Sequence, residues 1–314
     1  MTTMFGRSGS RRRKVMRSRG VTVLAIAFWA SLVEARPPVE DIRGVVSIAD
    51  GEPFTIIRGD SLWTGSRGAT LVAGDIVETA PGAFLVVEMQ GGTLVGIGPA
   101  TQVYFLQRAH IETLVVLKGW LKADIRAKGN SGAMRVVGTR LGIQGQQAVV
   151  LLDAGELSDA IFDEQGSATL LLRDPAATRL DDRQTKPNQF FSREDHAAVI
   201  LQPHPPADFV AAMPIAFQDP LPEGAAANLK KPAAPKRVRD VTYSDIQPLL
   251  TMPRDWRAGF IGRFRARLKD PAFFSAMDAH LAAHPEWVPI LHPPHRTDRP
   301  PAGSLPGPAP LPHY

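Results

Sequence analysis

From Gly44 to about Leu172 the chain alternates short apolar runs with Gly, Asp and Asn, and the runs recur roughly every ten residues. Val45–Ile48, Phe54–Ile57, Ile76–Thr79, Phe84–Met89, Thr93–Ile97, Val103–Phe105, Leu114–Leu117, Arg135–Val137, Ala148–Leu152 and Ala168–Leu172 are rich in Val, Ile, Thr and Phe, residues that fit a pleated surface. A period of two is visible in Asp75-Ile76-Val77-Glu78-Thr79 and in Thr101-Gln102-Val103-Tyr104. With no helical stretch between the runs, the pattern predicts a mainly β fold over residues 44–210, a sandwich or roll of short antiparallel strands. Met89-Gln90-Gly91-Gly92-Thr93 reads as a hairpin, and Leu117-Lys118-Gly119-Trp120 as a close turn or bulge.

The rhythm then weakens. Pro175–Pro222 is mixed, with strand-like Phe190-Phe191 and Ala198–Leu201 followed by Pro-interrupted segments. Residues 211–239 read as a Pro/Ala-rich linker, with little apolar surface to bury. After Asp240 the spacing becomes helical, and 240–292 is expected to form a small C-terminal α-helical module. Trp256, Phe260, Ile261, Phe264 and Leu268 make one apolar stripe, and Phe273, Met277 and Leu281 a second. Asp270-Pro271 is a helix N-cap followed by Pro at the first helical position. Residues 293–314 are expected to be a disordered Pro-rich tail.

The N-terminus reads as an address. Ser10–Arg19 is basic, Gly20–Val33 is a charge-free apolar run of 14 residues, and Val33-Glu34-Ala35 places small residues where a signal peptidase cuts. A membrane span needs roughly 20 apolar residues, so residues 1–35 are expected to be a cleaved signal peptide that delivers the protein to the periplasm or beyond. The alternative is an uncleaved membrane anchor on a signalling protein.

Charge confirms where the basic character resides. The pI of 9.7 suggests nucleic-acid binding, but residues 1–35 hold seven cations and one acid, leaving 29 Lys+Arg against 30 Asp+Glu in the rest. A phosphate-binding surface needs a clustered cationic excess, so no nucleic-acid partner is expected. The absence of Cys excludes disulfides, thiolate metal sites and cysteine nucleophiles.

Three local patterns invite chemistry. Gly59-Asp60-Ser61-Leu62 spells the nucleophile block of GDSL esterases, but no later Asp-x-x-His and no Gly-x-Asn-Asp follow, so an envelope serine hydrolase at Ser61 is the lesser reading and no catalytic residue is expected. His280 and His284, four apart on an expected helix, are the candidate metal ligands, with no cofactor otherwise implied. Arg254, Arg257, Arg263, Arg265, Arg267 and Lys269 make 253–269 a basic amphipathic helix of the kind that meets an anionic membrane or an acidic partner.

Several stretches of the β region together resemble the FecR domain. They are Gly44-Val45-Val46, Ile57-Arg58-Gly59, Leu71-Val72-Ala73-Gly74-Asp75-Ile76-Val77-Glu78-Thr79, Gly82–Val87 and Gly92–Thr101. Leu117-Lys118-Gly119-Trp120-Leu121 and Val136-Val137-Gly138-Thr139-Arg140-Leu141 continue the series, so the resemblance covers 44–152. Gly91, Gly96 and Gly98 depart from the family's pattern. The resemblance implies an extracytoplasmic, non-catalytic β domain that senses or binds partners. Family members that relay a signal to a sigma factor carry a cytoplasmic domain, whereas about 20 residues precede the apolar run here, so the domain is expected without that role.

The expected function is therefore an exported binding or scaffold protein of the cell envelope whose partner is another envelope, periplasmic or cell-surface component. Membrane contact is open to the N-terminal segment and to the basic helix. Trp63, Trp120, Trp256 and Phe260 are the expected partner-binding residues, because large aromatics supply contact area.

Overall fold

The computed structural model describes residues 42–51, 53–108, 111–126, 133–174, 177–195, 197–229 and 233–293. The signal peptide expected at 1–35 and the tail beyond Pro293 lie outside the described residues. The described residues fall in one compact unit, Glu40–Tyr314.

The chain is mainly β with small C-terminal helices. The first half gives β1 (Ile42–Asp50), β2 (Phe54–Arg58), β3 (Ser61–Gly65), β4 (Thr70–Val72), β5 (Ile76–Glu78), β6 (Phe84–Met89), β7 (Leu94–Ile97) and β8 (Gln102–Arg108). The long strands follow: β9 (Ile111–Arg126), β11 (Leu141–Ala154) and β12 (Ser158–Asp174), with β10 (Met134–Val137) between the first two. Then come β13 (Ala177–Gln184), β14 (Gln189–Glu194), β15 (Ile200–Gln202) and β16 (Lys236–Asp240). These strands join in one hydrogen-bonded sheet, antiparallel except where β9 runs parallel to β10.

Strands of 14 to 17 residues were not expected, and their pairing explains them. The first half of β9 pairs with β8 and β10, and its second half with β7 and β11. One strand thus serves two layers. The bend falls at exposed Lys118 and at Gly119, where φ is +84° and a Cβ would strike Thr101. The Lys118-Gly119 signal marks a bend inside a continuous strand, not the end of one.

Burial alternates between clusters along the strands. Ile56, Val77, Val103, Leu114, Val116, Val136 and Leu170 face the central core. Their neighbours Ile57, Ile76, Tyr104, Val115, Val137 and Leu171 face a second cluster. Val86, Leu94 and Leu151 face a third. Both faces of these strands are covered, so the apolar runs are continuous where a half-solvated sheet would alternate.

The second cover is the C-terminal segment: α2 (Tyr243–Leu250), α3 (Arg254–Arg257), α4 (Phe260–Phe264), α5 (Pro271–Ala279) and α6 (Val288–Leu291). Trp256, Phe260, Phe264, Phe273, Met277 and Trp287 bury against the sheet. The single amphipathic helix expected over 253–269 is broken at Ala258-Gly259 and finishes as a 3₁₀ turn over Arg265–Lys269. The Asp270 cap does form, accepting from the Ala272 amide at 3.0 Å and the Phe273 amide at 3.5 Å.

The third cover comes from the stretch read as a linker and the residues just before it. Phe209 in α1 (Ala207–Ala212), Phe217 and Leu221 pack on Val86, Leu94, Leu151 and Phe190. Lys122, fully buried, holds this strap by donating to the Phe217 carbonyl at 2.9 Å and the Asp219 carbonyl at 3.1 Å, and by pairing with Glu164 at 2.7 Å. The same 211–239 stretch ends in β16, which pairs with β3, so its described residues are not a free tether.

Gly96 lies directly under this strap. A Cβ at this position would lie 2.8 Å from the Phe217 ring and 2.9 Å from Leu221. Gly96→Val is expected to lift the strap and to lower stability by about 2 kcal/mol, an overpacking cost. Thermal melts, together with faster proteolysis between Ala207 and Gly224, would show it.

Candidate functional site

A cleft of about 780 Å³ opens where strand ends meet the α2–α3 connection. One wall is built from the turn between β10 and β11, the tip of the β11–β12 hairpin and the ends of β12 and β14. The other combines an apolar patch, Pro248, Met252 and Pro253 beside Leu117, with Thr251, Arg254 and Arg257.

Asp159, fully buried, organises the first wall. It accepts from the Arg140 amide at 2.5 Å, the Leu141 amide at 3.0 Å and the Thr139 hydroxyl at 3.2 Å. Gly138 makes this approach feasible, since a Cβ there would sit 2.3 Å from an Asp159 oxygen. Burial raises the Asp159 pKa, and the amide and guanidinium donors oppose that shift. The Gly138-Thr139-Arg140 motif is therefore a turn wrapped around a carboxylate, with the guanidinium projecting onward into the cleft.

Arg140 lies between two carboxylates. Its Nη1 is 3.3 Å from Asp159, and its Nε donates at 2.5 Å to Asp195, whose side chain is 61% exposed. Burial works against the Arg140 charge, yet Asp195 and Asp159 outweigh it and raise the pKa. Beside it, the Arg193 guanidinium donates to the carbonyls of Ala197, Arg140 and Arg173. Arg173 lies flat on Trp256, with its guanidinium carbon 3.8 Å from the ring centroid. Arg254 and Arg257 close the helical side. Six cations and two acids, Glu156 and Asp195, thus line the cleft. Arg140, Arg173 and Arg193 come from strand ends and belong to none of the chemical patterns singled out in the sequence.

Two further acids on the β11–β12 pair titrate within the physiological range. Burial, aided by Asp159, raises Asp153 to about 6, and burial raises Asp163 to about 6 against a hydrogen bond from Thr185. Because both folded values exceed the unfolded one, the stabilising contribution is complete below the unfolded carboxylate pKa and is lost as pH rises through about 6. Asp153→Asn is expected to raise stability at pH 7.5 by about 1–2 kcal/mol and to flatten the pH profile between 5 and 7. Urea titrations at both pH values check the sign.

The expected site residues are scattered, and two are corrected outright. Trp256 and Phe260 are 2% and 1% exposed, so the sheet takes the area that a partner was expected to use. Trp120 is half-buried beneath Phe209, with ring centroids 4.9 Å apart, and Trp63 is half-buried against the central core. The helix expected to carry both histidines stops between them, since His280 caps the end of α5 and His284 follows a 3₁₀ turn over Leu281–Ala283, and Tyr243 lies against both rings. It stacks on His280 at 4.9 Å, and its hydroxyl is 3.1 Å from His284 Nε2. Burial lowers the His284 pKa. Among the described residues no three acids or histidines converge as a metal site would need.

Ser61 is buried at the start of β3, its hydroxyl 3.2 Å from Asp60 and 3.2 Å from Arg237 Nε. A guanidinium therefore contacts the oxygen where a general base would have to be. The basic segment also spends its charges internally. Arg263 donates to the carbonyls of Ile57, Gly59 and Gly74, Arg267 to that of Val241, and Arg257 to that of Leu250. Arg254, Arg265 and Lys269 remain exposed. No described helix is long and apolar enough to cross a membrane.

The residues that carry the FecR resemblance hold turns and buried pairs. Asp75 accepts from the Val72 amide at 2.9 Å and from Arg58 at 2.7 and 2.9 Å. Thr79 bridges to the Gly98 carbonyl at 2.6 Å and the Thr101 amide at 2.9 Å. No family model matches the chain. No curated protein matches it either. Among solved structures, two crystal structures of a provisionally named anti-sigma factor from Parabacteroides distasonis are similar, each with a TM-score of 0.36. Identities are 13% and 12%, and the matches cover 44% of this chain and 63% and 62% of those chains.

Proposed function

We propose that this chain is an exported, non-catalytic binding protein of the cell envelope and that it works by holding a partner in the cleft between its strand ends and the α2–α3 connection. The observation that carries this reading is the cleft itself: an opening of about 780 Å³ with guanidinium groups on both walls beside an apolar patch of Leu117, Pro248, Met252 and Pro253. That pairing of a few oriented polar groups with apolar surface is what ligand sites are made of. The basic, apolar and small-residue order of residues 1–35 supports export, and the surroundings of Ser61 support a binding role over hydrolysis.

One experiment tests both halves. A photo-crosslinking residue at Thr251, exposed on the cleft rim, is compared with one at Ile215 on the strap. The expected result is a periplasmic or secreted chain beginning at Arg36 and a discrete envelope adduct from position 251 only. Cytosolic chain with Met1 intact, or identical patterns from the two positions, would overturn the proposal.

A further inference from the structure

Asp195 is an exposed carboxylate at the end of β14, held on Arg140 Nε at 2.5 Å inside the cleft rim. Arg140 is in turn fixed from behind by Asp159 and by the carbonyls of Gly155 and Glu156, so its fork does not depend on Asp195 for its direction. The cleft therefore already displays its preferred occupant: a carboxylate borne on a peptide chain, following Glu194. Alongside lie Leu117, Pro248, Met252 and Pro253, which offer apolar contact but no hydrogen-bond donors from their side chains.

Building on the proposed binding role, we infer that the cleft takes an acidic peptide segment of a partner protein, one that alternates carboxylates with apolar side chains and displaces Asp195 from Arg140. Guanidinium recognises carboxylate in a fixed planar geometry, which suits a peptide acid better than a freely tumbling anion. Arg254, exposed at the start of α3, is placed to meet a second carboxylate along the same segment. Lys118 and Arg257 already pair with Glu78 and Glu286, so the charge complementarity to that ligand lies in the Arg140 fork and in exposed Arg254. Asp195 acts as a resident competitor. Its removal should strengthen binding, whereas a merely structural ion pair would give no such gain.

The test uses the mature full chain and a fluorescein-labelled peptide of alternating Glu and Leu, read by fluorescence anisotropy. The expected result is saturable binding that tightens about fivefold in Asp195→Ala and weakens about fivefold in Arg254→Glu. Asp195→Asn should follow Asp195→Ala, and a Lys-Leu peptide should not bind. Both positions are exposed, and thermal melts of each variant confirm that the fold persists. Equal affinity in all variants, or no saturable binding by Asp195→Ala, would sink the assignment. Displacement of the peptide by inorganic phosphate or free glutamate at equal concentration would also sink it, by revealing a small-anion site. If this assay fails while export and the Thr251 adduct stand, the error lies in the ligand class alone. Loss of those two removes the binding role itself.

Discussion

Ending the chain at Pro222 is expected to yield an insoluble or non-cooperatively folded protein, not a free β domain. The deletion strips the cover from Ile57, Ile76, Tyr104, Val115, Val137 and Leu171, which form one apolar face. Burying a side chain of this size contributes about 1.5–3 kcal/mol. Six of them amount to roughly 10 kcal/mol, the same order as the net stability of a whole domain. Solubility after expression, near-UV dichroism and the sharpness of the urea transition measure the outcome. A truncated chain that is soluble and melts as cooperatively as the intact one would show that the sheet stands alone.

Arg263→Leu is expected to cost about 3 kcal/mol or more, the largest effect foreseen for one side chain. Its guanidinium reaches the carbonyls of Ile57, Gly59 and Gly74 at 2.6–2.7 Å and so joins the helical segment to two turns of the sheet. Each bond contributes about 1 kcal/mol net, and a stranded carbonyl costs more than the bond it has lost. Burial lowers the Arg263 pKa, so this cation is held by geometry where solvent no longer supports it. Arg263→Lys should lose less, since an ammonium keeps some donors without the fork. A urea midpoint unchanged by Arg263→Leu would mean that the turns are capped some other way.

Much of the sheet was legible because turns are local chemistry. Gly74-Asp75, Gly91-Gly92 and Gly119 mark places where the backbone must reverse or bend, and strands lie between them. The Asp270-Pro271 cap was legible for the same reason. What an apolar stripe packs against is not local. Phe260 and Phe264 declare that something covers them, but only the fold says that Tyr104 and Val115 do. The arginine cleft was hidden by distance along the chain, because Arg140, Arg193 and Arg254 meet through strand ends and a helix connection. The spacing of the histidine pair suggested one helix, yet α5 ends at Ala279, and the ring that meets both arrives from Tyr243, 41 residues before His284. Gly96 and Gly98 stood out as anomalies, and a Cβ would strike Phe217, more than a hundred residues later, at the first and Trp120 at the second.

The clamp at residue 263 also sets the order of assembly. Ile57, Gly59 and Gly74 emerge first from any ribosome or translocation pore, but the donor that satisfies their carbonyls lies 189 to 206 positions downstream. Contacts closed over such spans slow folding. The opening hairpins must therefore wait, incompletely capped, until nearly the entire polypeptide has been delivered, and premature knotting into a finished body is postponed until then.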